Sequence, residues 1–142
     1  MKIALSGTEP MMINNTHLRE NTIQIPHTFA RMSDKIAQLE AMLDERPDDP
    51  FIIYALAREY QQHPAGTMQA LLMYEHLVNH HPAYMGTYYH YARLLYSIGN
   101  QPEAIRLIHL GIEQGNQSGD RHATSELQGL LMQWTAGMDD ED

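Results

Sequence analysis

Tyr88-Tyr89-His90-Tyr91-Ala92-Arg93-Leu94-Leu95-Tyr96, then Gly99-Asn100-Gln101-Pro102, then Glu103-Ala104-Ile105-Arg106-Leu107-Ile108-His109-Leu110-Gly111, reads as a helix, a turn and a second helix. Apolar residues recur three and four positions apart on both sides of the turn, and Gly99 and Pro102 interrupt the pattern between them. Moved back by 35 residues, the first helix finds itself again. Pro82 falls on Pro47, Tyr89 on Tyr54, Ala92 on Ala57 and Arg93 on Arg58. The second helix repeats with a shift of 34, pairing Ala104 with Ala70, Ile105 with Leu71, Ile108 with Tyr74 and Ile112 with Val78. One extra residue in the Pro64 to Thr67 turn accounts for the difference. The unit is therefore a helix–turn–helix of about 34 residues, present twice.

Outward from this pair, punctuation places the remaining helices. Asp49-Pro50 is an N-cap followed by proline in the first turn, where a missing N–H costs nothing, and it opens a helix through about Gln62. A second runs from about Met68 to His80, a third from about Tyr84 to Ser97 and a fourth from about Pro102 to Gln114. Gly115-Asn116-Gln117-Ser118-Gly119 reads as a loop, after which Asp120 caps a helix carrying Ala123, Leu127, Leu130, Leu131 and Trp134. Upstream, Ser33 or Asp34 caps a helix with Ile36, Leu39, Met42 and Leu43 on one face. No segment alternates with period two for long enough to be a strand, so the class is all-α: a solenoid of about six helices. Residues 1–31 show no sustained period and are expected to be a flexible extension, with the repeat domain at 32–136 and an acidic tail at 137–142.

The unit length and the placement of small and bulky residues resemble the tetratricopeptide repeat family. Tyr88 stands where that family prefers tryptophan, Tyr91-Ala92 where it has leucine and a small residue, and Leu95 at an aromatic position. Gly99 lies in the turn, with Ala104, Ile108 and Gly111 at small, bulky and small positions of the second helix. The earlier unit matches with Ile53, Leu56-Ala57, Tyr60, Ala70, Tyr74 and Pro82, and departs with Pro64 in the turn and Leu77 at a usually small position. The resemblance spans about Ser33 to Trp134. It implies a scaffold for protein–protein interaction, in which the first helix of each unit lines a concave groove that takes a partner peptide or subunit.

Composition limits the alternatives. Nine Lys+Arg against 18 Asp+Glu leave 9 − 18 = −9 with histidine neutral, which repels phosphate backbones and argues against nucleic acid. With no cysteine there is no disulfide, thiolate nucleophile or Cys-ligated metal. No apolar run approaches the ~20 residues that span a bilayer, and the start of the chain lacks a secretory signature, so a cytoplasmic protein with no membrane partner is expected. No nucleophile with a positioned base, phosphate loop or His-Glu-x-x-His helix occurs, so no enzyme and no cofactor is expected.

Two groups of residues could carry function. Tyr54 and Arg58, and again Tyr89 and Arg93, are four apart and share a helical face; Gln61, Tyr96 and Phe51 fall on the same surface by spacing. Each ring supplies contact area at low entropic cost, and each guanidinium can fork onto a carboxylate. The competing arrangement buries the tyrosines in the core and pairs the arginines with acids such as Glu59 or Glu75. The second group is His76, His80 and His81. His76 and His80 are one turn apart and could meet one ion, making a metal or small-molecule adaptor the alternative function. No third ligand or carboxylate accompanies them on the helix, so no metal site is assigned. His90 and His109 read as surface or inter-helix residues, and Asp48-Asp49 as capping acids.

Overall fold

The computed structural model describes residues 34–138. The expected extension, 1–31, and most of the acidic tail lie outside them. Six helices follow one another: α1 Asp34–Glu45, α2 Pro50–Gln61, α3 Thr67–His80, α4 Gly86–Ser97, α5 Gln101–Ser118 and α6 Arg121–Ala136. A single 3-10 turn, Pro64–Gly66, joins α2 to α3, and no strand occurs among the described residues. None of these helices is long and apolar enough to cross a membrane.

Caps start the helices where the sequence placed them. The Asp49 carboxylate accepts the Phe51 N–H at 3.0 Å ahead of Pro50, and the Asp120 carboxylate accepts the Ala123 N–H at 3.0 Å. The helices then pack in sequence, α2 on α3, α3 on α4, α4 on α5 and α5 on α6, while α4 also meets both α2 and α6. Ala57, Ala70, Ala92 and Ala104 are fully buried at these crossings, letting the backbones close in, and Ile52, Leu56, Tyr74, Leu77, Tyr88, Leu107 and Ile108 fill the space between. Burial leaves the phenols needing partners. Tyr74 donates to Gln61 Oε1, Tyr60 to Glu40 at 2.9 Å and Tyr88 to the Pro82 carbonyl at 2.6 Å. Lys35 adds an ion pair to Glu59 at 3.1 Å between α1 and α2.

One local expectation is corrected, and one departure takes a definite form. Residues 115–118 are not a loop: α5 continues through them and ends at Gly119, whose φ of +78° is the left-handed conformation glycine adopts freely. The Asp120 N–H returns to the Gly115 carbonyl at 2.9 Å and closes that end. Gly115 is there for proximity, because a Cβ would collide with Thr124 Oγ1 of α6. In the earlier unit, Pro64 replaces a glycine turn with the 3-10 turn, and Gly66 sits against the Tyr60 carbonyl where no side chain fits.

Candidate functional site

Both Tyr–Arg pairs form. In α2, Arg58 Nη1 donates to the Tyr54 hydroxyl at 3.4 Å; in α4, Arg93 Nη1 donates to the Tyr89 hydroxyl at 3.4 Å, with its guanidinium 5.6 Å from that ring's centre. Neither arginine makes an ion pair among the described residues, and Glu59 is engaged by Lys35 instead. The tyrosines are half-buried rather than core residues. Arg58, Gln61 and Arg93 line one hollow of about 350 Å³, shared with Gln62, His90 and Ser97. Tyr54 and Tyr89 line an adjoining hollow of about 390 Å³, whose rim carries Asp120 and Glu126.

Tyr96 is not brought to these hollows. Its ring stacks on Trp134 of α6 with centres 4.2 Å apart and planes at 11°. Phe51 is 60% exposed and lines neither hollow. Gln61 reaches the basic hollow but spends its carbonyl oxygen on Tyr74.

His90 is the residue the repeat comparison passes over, because it aligns with Ala55 and has no counterpart in the earlier unit. It is the wall common to both hollows. Its Nε2 lies 3.1 Å from Arg58 Nη1, and its ring meets Tyr89 edge-on at 5.2 Å and Tyr54 at 5.9 Å. Burial, and then the charges of Arg58 and Arg93, push its pKa down to about 4, so the ring is neutral at pH 7. A guanidinium can only donate, so Nε2 accepts and the ring proton sits on Nδ1. The basic hollow thus holds two cations and an uncharged ring, an arrangement suited to an anionic group with several acceptor atoms.

The histidine group is rearranged in the structure. His80 Nδ1 faces the His76 carbonyl at 3.1 Å, and the residue that joins His76 and His81 is Asp48, from the turn before α2. Asp48 Oδ1 lies 2.9 Å from His76 Nε2 and 3.0 Å from His81 Nε2. The hydrogen bond with His76, and then the close approach of the His81 ring, hold the Asp48 carboxyl below its ordinary range. Asp49 caps α2, and Asp48 does not share that role. No helical spacing connects residues 48 and 76, so nothing along the chain marks Asp48 as the third group.

Comparison with known proteins bears on the fold. No protein-family model matches the chain, and no curated protein matches it significantly. Among solved structures, the chain is similar to a tetratricopeptide repeat domain protein of Salinibacter ruber. The solution structure is 38% identical over 61% of this chain and 87% of that one, with a TM-score of 0.58. The crystal structure is 37% identical over 61% and 94%, with a TM-score of 0.57. A protein of Bordetella parapertussis shares the fold at 22% identity over 77% and 94%, with a TM-score of 0.66.

Proposed function

This chain belongs to the tetratricopeptide repeat family, and from that premise we propose that it is a cytoplasmic, non-catalytic interaction module whose groove takes a carboxylate-bearing segment of a partner protein or subunit. The observation that carries the reading is that Arg58 and Arg93, in an acidic chain, line one hollow without an acidic partner among the described residues. Water is displaced from such a concave site more readily than from a flat surface, which strengthens a forked Arg–carboxylate contact. Tyr54 and Tyr89 supply the neighbouring apolar walls, and the acids at the far rim favour a segment whose next residues are neutral or basic.

The test compares affinity capture by the wild type and by Arg58→Ala, Arg93→Ala and the double variant, quantified by mass spectrometry. Arg93 is exposed, so its loss should change stability by less than ~0.5 kcal/mol; Arg58 loses two hydrogen bonds and should cost about 1 kcal/mol. A partner seated in the groove should bind ~1–3 kcal/mol more weakly for each arginine removed. An identical captured set from the folded double variant would exclude the groove as the binding surface.

A further inference from the structure

We propose that Asp48, His76 and His81 form a binding site for one divalent cation of the zinc class, at the opposite end of the α2–α3 pair from its connecting 3-10 turn. Three features of the geometry point there. The ligand atoms of the three residues all lie within 4.8 Å of one another, a set that one ion can bridge. Both Nε2 atoms converge on a single carboxylate oxygen, at 2.9 and 3.0 Å, where tetrahedral ligands around zinc stand roughly 3.3–3.5 Å apart for bonds of about 2.0–2.1 Å, so a few tenths of an ångström of opening suffices. Finally, His81 Nε2 is buried and, despite its 3.0 Å approach to Asp48, makes no hydrogen bond of acceptable direction among the described residues. A buried polar atom left in this state calls for a partner, and an ion placed among the three groups supplies one.

The donor set selects the cation. Two imidazoles and one carboxylate suit zinc, copper or nickel, whereas magnesium and calcium require oxygen ligands. The ligands come from three places: the turn before α2, the body of α3 and the residue that ends it. An ion there would tie the α1–α2 connection to the end of α3, and with three protein ligands at a partly exposed position it would keep a coordination place open to solvent or to a partner's side chain. His80 stands outside the set, its ring stacked on His76 with centres 4.2 Å apart and its Nδ1 turned to the His76 carbonyl.

The experiment is calorimetric titration of the full chain with zinc chloride, alongside Asp48→Ala, His76→Ala, His81→Ala and His80→Ala. One saturable equivalent is expected in the wild type and in His80→Ala, weakened at least ~10- to 100-fold in each of the other three, as for the loss of a group that anchors a metal site. Magnesium should neither bind nor compete. Melting of each variant without metal checks folding, and cobalt absorption of the wild type, intense for a tetrahedral N/O site and weak for an octahedral aquo-like one, reads the coordination without any substitution. Absence of saturable binding overturns the proposal. So does binding that persists in Asp48→Ala and His81→Ala but is lost in His80→Ala, which would assign the ion to the one-turn pair on α3.

Discussion

Gly111 and Gly129 are both interior helix positions, and the same change to alanine should move stability in opposite directions. Replacing a helical glycine by alanine is ordinarily favourable by ~1 kcal/mol. At Gly129 of α6 a Cβ would meet nothing within 4 Å, so that gain should appear nearly whole. At Gly111 of α5 it would stand 2.7 Å from Cβ and Cγ of Tyr88 and 2.8 Å from Cδ1 of Leu127, about 1 Å inside normal carbon contact. Leu127 can turn its methyl aside. Tyr88 cannot, because its Cβ is one bond from the backbone, its ring is fully buried and its hydroxyl is tied to the Pro82 carbonyl. Overpacking of this kind costs ~1–3 kcal/mol and the propensity gain offsets part of it, leaving Gly111→Ala about 1–2 kcal/mol less stable. At roughly 4–8 °C per kcal/mol for a domain of this size, the two variants should melt at least ~8 °C apart, on opposite sides of the wild type. Thermal and urea unfolding followed by circular dichroism would measure both. A Gly111→Ala protein as stable as Gly129→Ala would refute the claim that α5 is held against α4 and α6 through that position.

Two further outcomes follow from the site. An unfolded chain protonates His90 near 6.5 while the folded one resists until about 4, so this residue lowers stability as pH falls through that window and contributes no slope above it. Discounted for its partial exposure, the loss should be about 1–2 kcal/mol between pH 7 and 4.5, read as the difference in urea midpoints between wild type and His90→Gln; parallel curves would show the ring to be freely solvated. Tyr54→Ala should cost about 2–3 kcal/mol, because that ring packs on Tyr84 at 5.3 Å, on His90 and over Gly86, whereas Tyr89→Ala should cost under about 1.5 kcal/mol; equal losses in chemical denaturation would contradict the asymmetry.

The fold could be read from sequence because its information is local. Asp49 and Asp120 cap, Pro50 and Pro102 start helices, and the buried alanines recur at the unit length. The end of α5 was misplaced because Gly115 looks like a breaker until Thr124, nine residues on, is seen to occupy the space of its missing side chain. The site was legible to the same distance and no further. Tyr54 with Arg58 and Tyr89 with Arg93 are one-turn pairs visible in the chain, but His90 reaches Arg58 across 32 residues and Asp48 reaches His76 across 28, distances set only by how one unit stacks on the next. Tyr96 shares α4 with Tyr89 and Arg93, yet the packing of α4 on α6 gives it to Trp134.

Among the described residues, helices that pack chiefly on their successors and next-but-one neighbours also govern how the chain reaches its structure. Even the reach from Arg58 to His90 closes a loop of about one unit, and loop-closure entropy grows only slowly with such lengths. Contact order is therefore low, and folding should be fast for the chain's size, in the microsecond-to-millisecond range of helical domains. No single nucleus is imposed by the topology. Either unit can form first and template the other across the α3–α4 contact, so substitutions confined to one unit should slow only the routes that begin there.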